Sequence, residues 1–255
     1  MLQQIRETYR QSRKEKDIFW NVYVARPIAA VVLQLIAPTR LTPNQVTFIA
    51  LAVAVGAALV LAFVPGYVGL VVGAVLLEAS YVFDCVDGQL ARLKGQATPV
   101  GAHLDFLMDE LKAFLYVSAV TLRLWLGSGR LHYLVVGLLG LAVVAAAISL
   151  TTFMRRPEYV GAGPRPPAPP PAPDGILKPL GPTVRAVRLA EAGGRWLIHY
   201  PSYFLYVAVL DLLAVFFYVY LAAHALYLGR SLVQIVLKLG RRRPPPAPRE
   251  EENGP

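Results

Sequence analysis

The chain holds one cysteine, Cys85, so no disulfide can form within it. Its four histidines, His103, His132, His199 and His224, are scattered and form no cluster of zinc-binding spacing. Charge is scarce. Only 16% of residues are charged while 56% are hydrophobic, against about 25% charged in soluble domains. The sequence does not open on a short apolar core followed by small residues, so no cleavable leader is expected; the first forty residues are basic and amphipathic. No internal repeat of the kind that builds transporters is visible. These absences exclude a disulfide scaffold and a Cys/His metal centre, and they leave too little polarity for an ordinary soluble domain.

What is present is a series of long apolar runs: Val46 to Val64, Val68 to Phe83, Ala113 to Gly127, Leu131 to Met154 and Tyr203 to Lys238. About 20 apolar residues span a bilayer as helix. The last run would be about 54 Å long as one helix, well beyond one crossing, which predicts two helices with a break near Asp211 to Ala214. The expected fold is an all-α integral membrane protein of six transmembrane helices, preceded by an N-terminal interfacial amphipathic helix. Residues 1–40 form that helix, with Arg26 and Arg40 at its edges. Residues 41–240 are expected to form the six-helix membrane domain, in which 155–196 is a Pro-rich cytoplasmic loop. Residues 241–255 form a disordered tail. The net charge of +9 is a topology signal, not a nucleic-acid one. Lys and Arg crowd the N-terminus, the stretch after the second run, the Pro-rich loop and the tail, and are nearly missing from the short links at Gly66 and Gly127. By the positive-inside rule both termini face the cytoplasm. The expected location is the bacterial inner membrane.

Against this background stands "DCVDGQLARLKGQATPVGAHLDFLMD", residues 84–109, with four aspartates. At about 100° per residue, Asp84, Asp87, Gly88, Ala91 and Arg92 share one helical stripe. Gly101, Asp105, Asp109 and Lys112 share another. Gly95 and Pro99 turn the chain between them, so two antiparallel helices present their carboxylates to each other at the cytoplasmic face. Solvated helix caps would account for one such pair, but hardly for two matched stripes. Four carboxylates that close cannot all ionise without compensation, and burying them unpaired at a membrane edge is costly. An all-oxygen donor set selects a hard cation such as Mg²⁺, Mn²⁺ or Ca²⁺. One ion could take Asp84, Asp87 and Asp105, and a second could share these with Asp109, the arrangement suited to in-line phosphoryl displacement. Arg92 supplies a planar fork for phosphate oxygens. The small Gly88 and Ala91 leave room for a bulky ligand.

The pattern of Asp, two residues, Asp-Gly, two residues, Ala-Arg, eight residues, Gly, three residues, Asp, three residues, Asp fits Asp84, Asp87, Gly88, Ala91, Arg92, Gly101, Asp105 and Asp109 at every position. It resembles the signature of the CDP-alcohol phosphotransferase family. "LTPNQVT", residues 41–47, resembles that family's entry to its first membrane helix. The resemblance implies transfer of a substituted phosphate from a CDP-linked lipid donor, such as CDP-diacylglycerol, to a small polar alcohol, with release of CMP. It implies two divalent ions, Mg²⁺ or Mn²⁺, on Asp84, Asp87, Asp105 and Asp109, with Asp109 as the base that takes the acceptor's proton. It implies donor contacts from Asn44, Thr47, Gly88, Ala91, Arg92, Thr98 and Gly101, and a homodimer among membrane lipids, with no nucleic-acid partner. A soluble CDP-alcohol acting on a lipid acceptor is the alternative within the same chemistry, and a divalent-cation transporter is the alternative from another class. A transporter wants its acids near the midplane at broken helices, and a fixed Arg92 opposes cation passage. For the acceptor, Lys112, Arg155, Arg156 and Arg195 are candidates to hold an anionic group, against charge balance for Lys112 and positive-inside anchoring for Arg155 and Arg156. Arg123 shares the Asp105 stripe but lies about 27 Å along it, which points to snorkelling at the outer interface.

Overall fold

The computed structural model describes residues 19–161, 189, 193–194 and 196–239, and every regular element among them is helical. A π-helical turn at Asn21–Ala25 runs into α1 (Arg26–Ile36). Then come α2 (Pro43–Phe63), α3 (Gly66–Leu93), α4 (Pro99–Ser128), α5 (Leu131–Met154), the short α6 (Pro157–Gly161), α7 (Phe204–Val209) and α8 (Leu213–Leu239). Four of them, α2, α3, α5 and α8, are long and apolar enough to cross a membrane. Helix α4 is longer, at 30 residues, but Asp105, Asp109, Glu110, Lys112 and Arg123 interrupt its apolar length. The last apolar region breaks at Leu210 to Leu212, where Asp211 takes a positive φ of 54°, overlapping the expected interval. Upstream of that break the described helix α7 is six residues long. Thus four spans, not six, meet the length and composition needed among the described residues. Residues 1–18 of the expected N-terminal helix, 162–188, 190–192 and 195 of the Pro-rich loop, and residues 240–255 with the tail lie outside the described residues.

Local chemistry sets the helix starts that matter. Thr42 caps α2: its backbone N–H donates to Gln45 Oε1 at 2.9 Å while its Oγ1 accepts from the Gln45 N–H at 3.3 Å, a reciprocal capping box. Pro43 occupies the first helical position, where no N–H is needed. Thr98 caps α4 in the same sense, accepting from the Gly101 N–H at 3.0 Å, and Pro99 follows it. Lys94, just after α3, donates to the carbonyls of Thr39 (3.1 Å) and Leu41 (2.9 Å). This ties the end of α3 to the approach of α2.

The main core joins α2, α3, α4, α7 and α8 through Leu61, Leu70, Leu77, Tyr116, Val120, Phe204 and Phe216. Helices α2 and α3 approach so closely that a Cβ on Gly73 would lie 3.0 Å from the Leu61 backbone. A second cluster packs Ala25, Ala29 and Leu33 against Val46, Val86 and Leu90, laying one face of α1 on α2 and α3. Its opposite face exposes Ile28, Val31 and Leu35. Arg26, expected at a polar edge of this helix, is instead buried, and its carbonyl accepts from Gln89 Nε2 at 3.1 Å. At the far end of the bundle the Arg123 guanidinium donates to the carbonyls of Leu61 and Val64, both at 2.9 Å, and to Gly66. The last carbonyls of a helix have no partner within it, so a guanidinium beside the end of α2 is drawn to them rather than only to the interface.

Candidate active site

Helices α3 and α4 meet at the turn that contains Gly95, whose φ is +63°. Each helix brings its aspartates to the same opening. Carboxylate oxygens of Asp84, Asp105 and Asp109 all lie within 4.8 Å of one another. Oxygens around one octahedral Mg²⁺ at about 2.1 Å are at most about 4.2 Å apart, and around Ca²⁺ about 5 Å, so small side-chain adjustments would let the three hold a cation. The donor set is purely oxygen, which fits a hard ion. Asp87 lines the same cavity but is not one of the three whose oxygens meet within 4.8 Å. It is 5% exposed and accepts a 2.5 Å hydrogen bond from Thr47 Oγ1, which turns it toward α2. The trio shares Asp84 and Asp105 with the grouping expected for a first ion and includes Asp109, expected at the second.

Lys112 sits one turn beyond Asp109 on α4. Its side chain is buried, and its ammonium donates to Asp84 Oδ1 and, at 3.3 Å, to Asp109 Oδ1. The two carboxylates differ in access: the Asp84 side chain is 10% exposed and that of Asp109 54%. Asp109 thus faces the opening, and Asp84 lies beneath it.

These groups line one cavity of about 1500 Å³, larger than the 300–1,000 Å³ common for a single small ligand. All the residues expected at the donor line it: Asn44, Thr47, Gly88, Ala91, Arg92, Thr98 and Gly101. Two glycines act through the space they leave. The Arg92 guanidinium lies across Gly88, where an added Cβ would be 3.4 Å from Nη1. At Gly101 a Cβ would be 3.2 Å from Thr98 Oγ1 and 3.7 Å from Asn44 Oδ1, so the first turns of α2 and α4 converge there. Helix N-termini favour anions.

The expected acceptor residues fare unequally. Lys112 lines the cavity, but Arg155 and Arg156 are exposed and do not. Arg155 stacks over the Phe106 ring at 3.9 Å, and Phe106 does line it. Arg195 lies outside the described residues. The cavity also takes in Arg26, Glu110, His199, Tyr227 and Arg230, to which the sequence assigned no role at the site. Tyr227 is braced by Thr151 at 2.9 Å. His199 is held by Tyr81 at 2.9 Å and by Ser202 at 2.6 Å, and Tyr81 donates to Asn21 Oδ1 at 2.6 Å. No spacing signal marks these residues, because they come from elements far apart in sequence and meet only through packing.

The model of the CDP-alcohol phosphatidyltransferase family matches residues 40–169, about half of the chain. Two curated proteins are similar to it. One, the phosphatidylinositol phosphate synthase of Corynebacterium glutamicum, is 34% identical over 99 residues, which are 38% of this chain and 42% of that protein. The other, the bifunctional IPC transferase and DIPP synthase of Aquifex aeolicus, is 33% identical over 85 residues, 33% of this chain and 19% of that protein. The similarity thus spans less than half of either relative. Among solved structures, Mycobacterium tuberculosis phosphatidylinositol phosphate synthase with CDP-DAG bound shares the fold. Its TM-score is 0.53, with 20% identity over 87% of this chain and 98% of that one.

Proposed function

Because the chain belongs to the CDP-alcohol phosphatidyltransferase family, we propose that it is a membrane transferase that moves a phosphatidyl group from CDP-diacylglycerol to the hydroxyl of a small polar alcohol and releases CMP. The observation that carries this reading is the convergence of Asp84, Asp105 and Asp109 beside Arg92 in a single large cavity. The CDP-DAG bound to the fold neighbour supports the choice of donor.

Asp84, Asp87, Asp105 and Asp109 would hold two divalent ions, Mg²⁺ or Mn²⁺. Such ions supply positive charge to the phosphate oxygens and to the leaving oxygen. The rest falls to the chain. Arg92, spread across Gly88, offers its fork to a phosphate of the donor. Asn44, Thr98, Ala91 and Gly101 shape the nucleotide end of the cavity. Thr47, through its hydrogen bond to Asp87, sets that carboxylate's direction. Asp109, more open than Asp84 and Asp87, takes the acceptor's proton. The acceptor oxygen bonds to the phosphorus that carries the lipid, the bond from that phosphorus to the CMP oxygen breaks, and CMP leaves with the electron pair. Arg230 lines the cavity whereas Arg155 and Arg156 do not, which favours Arg230 as the cation that meets an anionic group on the acceptor.

In this reading the chain crosses the bacterial inner membrane six times, with α4 and the segment before the Leu210 break completing the four apolar spans. The site and both termini are cytoplasmic, as the clustering of Lys and Arg supports, and the chain works as a homodimer. The deciding experiment is product analysis with purified protein in detergent, crossing lipid and soluble CDP-donors with a panel of small and lipid alcohols. Product with CDP-diacylglycerol and a small polar alcohol is expected. Product only with a soluble CDP-alcohol and a lipid acceptor would reverse the assignment of donor and acceptor. No CMP release and no phosphodiester product from any pair would refute the reaction.

A further inference from the structure

We propose that Lys112 is a built-in counter-cation of the acidic cluster, competing with divalent ions for Asp84 and Asp109 and so setting how tightly the site holds metal. The inference rests on reading the cavity as a metal site. Lys112 is buried where a free ammonium would be expensive, and what compensates it is a pair of carboxylates from two helices: Asp84 on α3 and Asp109 on α4. Both belong to the trio whose oxygens lie within 4.8 Å of one another. The lysine is therefore bonded to two of the three groups a cation would use.

An ammonium and a divalent ion cannot hold the same oxygens independently. Where the ion takes a lone pair aimed at Nζ, the lysine must give up that bond. Where an oxygen serves both, two positive charges stand within a few ångströms, and their repulsion in a partly buried site is strong. Either way the lysine lowers metal affinity. The same ammonium supplies the charge that lets Asp84 and Asp109 lie side by side, so it holds α3 to α4 at the site when metal is scarce. Its position on α4 explains why it does this rather than serve the acceptor: one turn beyond Asp109 it points back under the cluster, to the buried Asp84, while the open side of Asp109 is left to the incoming alcohol.

The test is Mn²⁺ titration by calorimetry on the full chain in detergent, paired with thermal melts in EDTA and in saturating Mn²⁺, for wild type, Lys112→Met and Lys112→Arg. Lys112→Met is expected to bind Mn²⁺ about tenfold or more tightly than wild type, to melt lower than wild type in EDTA, and to recover in Mn²⁺. Lys112→Arg keeps the charge and stays near wild type in both. Wild-type or weaker Mn²⁺ affinity in Lys112→Met overturns the competition, and so does a variant whose only defect is a raised KM for the acceptor. If wild type itself binds no Mn²⁺, the metal reading of the cavity fails first. Should Lys112→Met not fold, ζ-¹⁵N-lysine NMR of the wild type decides. The buried lysine signal that Lys112→Arg removes should shift on adding Mg²⁺, and an unmoved signal overturns the proposal.

Discussion

Asp109 and Asp84 share Lys112 yet meet the solvent differently, and that difference underlies the separate roles proposed for them. Asp109 is half open to the cavity. Asp109→Asn keeps the shape but cannot take a proton, so kcat should fall about 10²–10⁴-fold, the usual range for a general base, with donor binding retained. Asp84→Asn, changed at a buried position, should lose metal and donor binding together. Calorimetry of donor binding beside CMP-release rates checks both. Near-wild-type turnover by Asp109→Asn would place the base elsewhere. Arg92 makes a sharper case, because its guanidinium lies on Gly88. Arg92→Ala should raise donor KM more than acceptor KM, and Arg92→Lys should rescue it poorly because a point charge lacks the fork. Gly88→Val should mimic Arg92→Ala by displacing the guanidinium, and the double variant should be little worse than either single one, since both remove one interaction. Additive losses in donor KM would show that Gly88 and Arg92 act separately.

At the scale of elements, much was legible because its cause is local. "LTPNQVT", with Pro43 near the helix start, announces α2, and the Thr42–Gln45 capping box is the local cause. The Gly95 to Pro99 turn announces a hairpin of helices, and helical periodicity puts each pair of aspartates on a stripe. The length of the last apolar run required a break, and the chain breaks at Asp211. Periodicity says which face a residue is on, but not how deep that face meets its neighbour. Thr47 reaches Asp87 across 40 positions of sequence, Lys112 reaches Asp84 across 28, and Arg26 turns inward because α1 lies on α3. None of these follows from spacing. Arg123 was legible as a residue for the far end of α4 but not as the partner of the carbonyls at the end of α2. Arg123→Ala should lower stability by about 1–3 kcal/mol, the scale of hydrogen bonds from a charged donor, while leaving donor KM unchanged. A melting temperature equal to wild type would show that those carbonyls are satisfied without it.

At the scale of the whole molecule, an apolar bundle gathers four aspartates, Arg92, Lys112 and Arg230 around one cavity, where the proposed reaction would bring a lipid-linked nucleotide to a polar alcohol. The metal dependence proposed for it follows from the donor set. Chelation with EDTA should abolish activity, and Mg²⁺ or Mn²⁺ should restore it, because the clustered carboxylates otherwise repel the donor's phosphates. Full turnover in a metal-stripped sample would contradict this. The most direct measurement of the central claim is CMP release from labelled CDP-diacylglycerol by the purified protein in detergent with Mn²⁺, with and without a small polar alcohol. The expected result is release that depends on both the alcohol and the metal and matches the lipid product one for one. Release of CMP that is indifferent to every alcohol, with no lipid product formed, would mean that the cavity hydrolyses or merely binds its nucleotide and is not a transferase site.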